Sequence, residues 1–172
     1  MLAGTGRRVT TNTLPAEWGL REMIAEGEMA PDFELESDGG ESVRLSDYRG
    51  KPVILYFYPK DNTPGCTKEA CAIRDAWGEF ERRGAVVLGV STDSVSLQER
   101  FKAKYRLPFT LLSDPEHEVI ERYGAWKPKR LAGKSFFGIV RSTFLIDAEG
   151  KVAKVWPKVD PAKHADWVLA EL

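Results

Sequence analysis

The sequence predicts one three-layer α/β domain with a mixed central sheet flanked by helices, and three observations lead there. The 172 residues suit a single core. Three runs, "PVILYFY", "AVVLGVST" and "PFTLLSD", are nearly continuous apolar stretches, as strands buried on both faces must be. Segments with helical spacing and helix-start residues lie between and after them, so strand and helix alternate.

Taken in order, residues 1–25 mix Gly, Thr, Arg and Pro without clean periodicity and read as an N-terminal extension or loosely docked arm, with Met23 an alternative start. They lack the long apolar stretch of a secretory leader. The folded domain is expected over 26–172. "DFELES" and "ESVRL" alternate apolar and polar around Asp38-Gly39-Gly40, which predicts an added N-terminal β-hairpin. After "PVILYFY" a helix is expected, with Thr63 as N-cap, Pro64 at its first position and Gly84 at its end. Its apolar stripe is Cys66, Ala70, Ile73, Trp77 and Phe80. Asp93 or Ser94 can cap a helix through "LQERFKAKY", and Pro115 is expected to open another at "PEHEVIERYG". "STFLID" and "KVAKVW", joined by Ala148-Glu149-Gly150, read as an antiparallel hairpin, after which Asp160 and Pro161 start a last helix. A strand–helix–strand unit first and a hairpin plus helix last is the order of a thioredoxin-like core.

Charge narrows the function classes. With 25 basic and 26 acidic side chains, net −1, the chain is no general polyanion binder, because affinity for nucleic acid comes from clustered Lys and Arg. The local basic group Lys127, Lys129, Arg130 and Lys134 reads as a solvated loop. No run approaches the ~20 apolar residues needed to cross a bilayer, so no membrane role and a cytoplasmic location are expected. In a reducing compartment a structural disulfide does not persist, so paired cysteines there point to metal binding or redox chemistry.

Both cysteines, Cys66 and Cys71, fall within "YFYPKDNTPGCTKEACAIRD". Cys66 stands at about the third position of the expected helix, where backbone N–H groups lack intrahelical partners. Those donors and the positive end of the helix dipole favour an anion, hence a nucleophilic thiolate. The site also follows the C-terminal end of a strand, where open α/β sheets place their ligands. Burial as a small apolar residue is the competing reading of Cys66. Cys71 lies ~140° around the helix, on the face of Lys68, Asp75 and Arg82, where a packing role is harder to find. On an intact helix, Cα atoms five residues apart are roughly 8 to 9 Å apart, beyond the ~7 Å that a disulfide bridges. A bridge between them would therefore require the first turns to unwind.

Other motifs are incomplete. Two cysteines with only His117 and His164 elsewhere do not make a four-ligand zinc site, and His117-Glu118 lacks the second His of a metalloprotease helix. "GKS" at 133–135 lacks the glycine a P-loop needs, and there is no Cys-x-x-Cys. A Cys–His hydrolase using Cys66 with either histidine stays open, although both histidines look like helix-surface residues.

At these residues the chain resembles a peroxiredoxin, and within that family the bacterioferritin comigratory protein or PrxQ group. The resemblance runs from "APDFELESDGGESVRLSDYRGKPVILYFYPKDNTPGCTKEACAIRD" through "VLGVSTDS", "LPFTLLSD" and "YGAWKPK" to "KSFFGIVRSTFLIDAEGKV", with Pro59-x-x-x-Thr63-x-x-Cys66 as its most specific piece. It implies that Cys66 is the peroxidatic cysteine, Thr63 its hydroxyl partner, Pro59 its shield from water and Arg141 a cation reaching the site from another strand. It also implies that Cys71 is the resolving cysteine of an intramolecular disulfide. The implied activity is reduction of hydrogen peroxide and organic hydroperoxides through a Cys66 sulfenic acid. Thioredoxin, or alternatively glutaredoxin, recycles the pair; no metal, haem or flavin is needed, and the protein is expected to be a monomer. The rival from another class is a non-catalytic thioredoxin-fold redox sensor or interaction module.

Overall fold

The computed structural model describes residues 22–172, and its centre is a seven-stranded sheet. Its strands are β1 Glu34–Ser37, β2 Ser42–Arg44, β3 Val53–Phe57, β4 Val86–Ser91, β5 Thr110–Ser113, β8 Ser142–Ile146 and β9 Val152–Trp156, in the spatial order β2-β1-β5-β4-β3-β8-β9. A separate two-stranded ribbon pairs β6 Trp126–Leu131 with β7 Lys134–Ile139. β3, β4 and β5 are parallel, whereas β8 joins β3 and β1 joins β5 antiparallel, so the expected mixed sheet is present with the N-terminal hairpin on its edge. The helices are α1 Pro64–Asp75, α2 Trp77–Arg82, α3 Val95–Tyr105, α4 Glu118–Arg122 and α5 His164–Glu171.

Every residue of β3 is buried because both faces of the sheet are covered. Val53, Leu55 and Phe57 enter one hydrophobic cluster, with Leu88, Tyr123 and Phe144. Ile54, Tyr56 and Tyr58 enter the other, with Cys66, Ala70, Ile73 and Phe80. Each large side chain so buried contributes about 1.5–3 kcal/mol. The period of two along β3 thus meets the helical stripe of α1, which fixes the rotation of α1 and presents Cys66 to the sheet.

Several expectations are corrected. The helix after β3 breaks at Ala76, which leaves helical geometry at φ −99°, ψ 12°, giving α1 and α2 in place of one element. Ser94 caps α3, its Oγ accepting from the Leu97 N–H at 3.2 Å. Asp93 is instead drawn inward, where it accepts from the Ser91 hydroxyl and the Asp61 N–H, both at 2.8 Å. Pro115 does not open α4, which starts at Glu118 behind a left-handed His117. The last helix begins at His164, because Asp160–Lys163 close a turn first.

The basic segment at 127–134 is the β6–β7 ribbon rather than a loop. Ala132 and Gly133 both have positive φ, 54° and 81°, as a two-residue hairpin turn compatible with strand twist requires. Pro128 and the dense charge hide the strand pattern.

Residues 22–25 pack against the domain: the Ile24 N–H bonds the Tyr123 carbonyl at 3.3 Å, and Met23 and Ile24 touch the first cluster. The expectation for residues 1–21 lies outside the described residues. Among the described residues no helix is long and apolar enough to cross a membrane.

Candidate active site

β3 ends at Phe57, and the five residues 59–63 return the chain to the mouth of α1. Pro59 is half-buried directly after the strand, where its missing N–H ends the ladder. The loop is pinned from below. The Tyr58 hydroxyl donates to Asp61 Oδ1 at 2.6 Å, and the Asp61 N–H donates to Asp93 Oδ2 at 2.8 Å. Asn62 takes a left-handed conformation, φ 62°, and its Oδ1 accepts from Tyr105 Oη at 3.1 Å and Lys104 Nζ at 3.3 Å. Burial pushes the Asp61 carboxyl up to about 7, against the Tyr58 hydrogen bond and with the charge of Asp93 adding to it.

Thr63 stands at the N-cap of α1, but its hydroxyl does not cap. It donates to the Lys60 carbonyl at 2.9 Å, so its proton is committed within the loop and only its lone pairs face other groups. Thr63 thus holds the expected N-cap position without a side-chain capping bond. The bond to Lys60 also leaves Thr63 as an acceptor rather than a donor toward a thiolate in this conformation.

Cys66 lies in the first turn of α1 and is 2% exposed. Arg141, the residue just before β8, reaches toward it: the guanidinium lies near enough to Cys66 for their charges to interact, and Nη1 donates to Glu69 Oε1 at 2.7 Å. Burial opposes the Arg141 charge, yet Glu69 and Cys66 together hold its pKa above the ordinary arginine value. Gly65 makes the approach possible. A Cβ there would stand 3.0 Å from Arg141 Nη2 and 3.7 Å from Pro161 Cγ.

Glu69 is fully buried, and burial raises it to about 7 against the charge and hydrogen bond of Arg141. Sequence reasoning missed it, although the signal was there. A carboxylate three residues after Cys66 sits on the apolar stripe, where an unpaired charge is too costly to keep. His164, expected on a helix surface, is the opposite: it is 0% exposed, its Nε2 is 2.7 Å from Thr143 Oγ1, and burial with the Arg141 charge lowers it to about 3. Lys129, from the ribbon, is a further cation at the site. Burial and Arg141 lower its pKa while Cys66 raises it.

Both cysteines are free thiols; Cys71 is half-buried, so the polar face expected around it is partly covered. α1 runs unbroken through both positions. His117 is stacked on Trp126 at 4.0 Å and paired with Glu121, and neutral His164 is turned to Glu69 and Thr143. Neither is placed as the base of a Cys–His hydrolase. Among the described residues no cluster of three or more His, Cys, Asp or Glu could hold a metal. The arrangement is a buried sulfur at a helix N-terminus, faced by a fixed guanidinium. It can stabilise a thiolate and an oxyanion that leaves a substrate attacked by that thiolate.

Known proteins share this chain's sequence and shape. The profile of the AhpC/TSA family matches residues 27–155. A bcp protein of Coxiella burnetii is 54% identical over 87% of this chain and 99% of its own length. The Peroxiredoxin Bcp of Bacillus subtilis is 52% identical over 85% of this chain and 93% of its own. Among solved structures, a bacterioferritin comigratory protein of Xanthomonas campestris, described for its alkyl peroxide reduction activity, superposes with a TM-score of 0.80 at 40% identity, covering 86% of this chain and 96% of that one.

Proposed function

From the premise that the chain belongs to the AhpC/TSA family and is a thiol-dependent peroxidase of the peroxiredoxin Bcp group, we propose that Cys66 is its peroxidatic cysteine and Cys71 its resolving cysteine. One observation carries the assignment: Arg141 is held on the buried Cys66 by Glu69. The rival, a non-catalytic redox sensor, has no such family support.

In the proposed cycle the Cys66 thiolate attacks the terminal oxygen of a hydroperoxide. The O–O bond breaks, the sulfur becomes a sulfenic acid, and the departing oxygen leaves as alkoxide or hydroxide and takes up a proton. Arg141 donates to the oxygens while its charge balances the thiolate. Thr63 offers its lone pairs to the hydroperoxide proton, and Pro59 limits water at the mouth. The Cys71 sulfur then attacks the Cys66 sulfur, water leaves, and a disulfide forms. Because α1 spans both residues, its first turns must unwind for this step, which also protects Cys66 from further oxidation.

The chemistry supports hydrogen peroxide and alkyl hydroperoxides as substrates, since attack requires only a terminal O–OH. A dithiol must reduce the disulfide, and the reading assigns thioredoxin, with glutaredoxin the alternative. Resolution inside one chain needs no partner subunit, which supports a monomer, and a supply of reduced dithiol supports the cytoplasm. Residues 26–172 are assigned as the catalytic domain.

A coupled assay with thioredoxin, its reductase, NADPH and peroxide tests the reading. Steady NADPH oxidation that vanishes in Cys66→Ser is expected; one stoichiometric oxidation without turnover would overturn it.

A further inference from the structure

His164, the first residue of the last helix, has no part in the cycle above, yet its side chain is fully buried against the reactive machinery. Its Nε2 faces the hydroxyl of Thr143, itself 0% exposed, at 2.7 Å. Its Nδ1 lies 3.1 Å from Glu69 Oε2, the carboxylate oxygen that Arg141 leaves free. The two atoms are within reach but not aligned, and among the described residues neither makes a hydrogen bond. The Tyr56 ring packs on the imidazole at 5.6 Å between centroids. Two buried polar atoms that meet only each other, on a carboxylate whose second oxygen holds a guanidinium, are not an arrangement that packing alone requires, since an unsatisfied buried group is costly.

We infer that His164 is a positioning residue for peroxide reduction: through Glu69 it fixes the carboxylate that holds Arg141 against Cys66. This rests on the reading of Cys66 as the peroxidatic thiol. The hydrogen bonds close in one sense. With the Thr143 hydroxyl donating to Nε2, Nδ1 carries the proton and a small rotation of the ring would let it donate to Glu69 Oε2, so a neutral imidazole would supply a hydrogen bond without adding a second cation beside Arg141. The low pKa of His164 agrees with that neutral state. The contact also joins α5 to α1 at the turn that must unwind for Cys71 to reach Cys66, so the last helix helps hold the conformation in which peroxide is attacked.

Without the imidazole donor, Glu69 is a worse carboxylate. Arg141 and the Tyr56 hydroxyl are then the titratable groups that interact with it, and Cys66 and Lys129 in turn interact with Arg141. Glu69 titrates near 7 in the intact site, so losing a donor moves its protonation to higher pH.

The test is the rate constant for oxidation of Cys66 by hydrogen peroxide, followed by stopped-flow tryptophan fluorescence from pH 5 to 9. His164→Leu, which keeps the bulk but not the donor, is expected to slow oxidation about tenfold at pH 7, the scale of one lost hydrogen bond to a charged group. The acid limb of its pH profile should move upward. His164→Asn, which returns an N–H, should recover most of the rate. In a Glu69→Gln background, which needs no folded His164→Leu protein for comparison with the single variants, His164→Asn should change nothing further. A folded His164→Leu protein with unchanged rate and pH limb, or an Asn effect that persists undiminished without the Glu69 carboxylate, would overturn the inference. Failure of the wild-type protein itself to react at Cys66 would instead refute the functional reading beneath it.

Discussion

The Arg141 guanidinium donates to Glu69 Oε1 at 2.7 Å from a position 72 residues further along the chain, and that bond sets where its charge meets Cys66. Glu69 comes from the helix that carries the thiol and Arg141 from the strand side. The bond therefore exists only when α1 is wound and docked. In the proposed cycle, unwinding α1 to form the disulfide would remove the carboxylate from Arg141 along with the thiol, so the attacking and resolving conformations would exclude each other.

Replacing Arg141 by Lys should lower the peroxide rate constant by roughly 10- to 100-fold. A single ammonium cannot bond Glu69, thiolate and oxygen together as a planar fork can. Stopped-flow oxidation measures this; an unchanged rate would mean that charge alone is what Arg141 supplies.

Gly65→Ala separates activity from stability. Alanine favours a helix over glycine by about 1 kcal/mol, but its Cβ would press on Arg141 Nη2 at 3.0 Å. The melting temperature should hold or rise while peroxide reduction falls several-fold. Parallel loss of both would contradict the proposed geometry.

Asp61 predicts a pH effect on stability. Its folded carboxyl keeps its proton up to about pH 7, whereas the unfolded chain releases it near 3.8. The folded state therefore binds the extra proton between those values, and this group's contribution declines as pH rises from about 4 to 7 and is gone above. Asp61→Asn removes that dependence while keeping an acceptor for Tyr58. Its melting temperature relative to wild type should improve between pH 5 and pH 8; a constant difference would contradict the shift.

Cys71→Ser should oxidise once at the wild-type rate and then stall with thioredoxin. In wild-type protein the oxidised form should lose amide-exchange protection across Pro64–Asp75, because the helix cannot stay wound with the pair joined. Full protection of α1 in a disulfide form would contradict the required unwinding.

Much of this was legible in the chain. The unbroken apolar run of β3 and the stripe through Cys66, Ala70 and Ile73 announce a strand buried on both faces and the helix laid across it. Thr63, Cys66 and Arg141 are legible as residue types in a pattern. Where their protons go is not, because the Thr63 hydroxyl turns to Lys60 through a local loop geometry. The β6–β7 ribbon was hidden by charge, and its strands pair only with each other, outside the main sheet. His164 left no local signal: its burial depends on α5 docking beside α1 and β8, a contact between segments distant in sequence.

The central claim, that peroxide oxidises the sulfur of Cys66 and that Cys71 resolves it, is tested most directly by peptide mapping in a mass spectrometer after one equivalent of hydrogen peroxide. The account predicts a Cys66–Cys71 disulfide in the wild-type protein and a single added oxygen on Cys66 in Cys71→Ser. An unmodified Cys66, or first oxidation at Cys71 in the wild type, would contradict it.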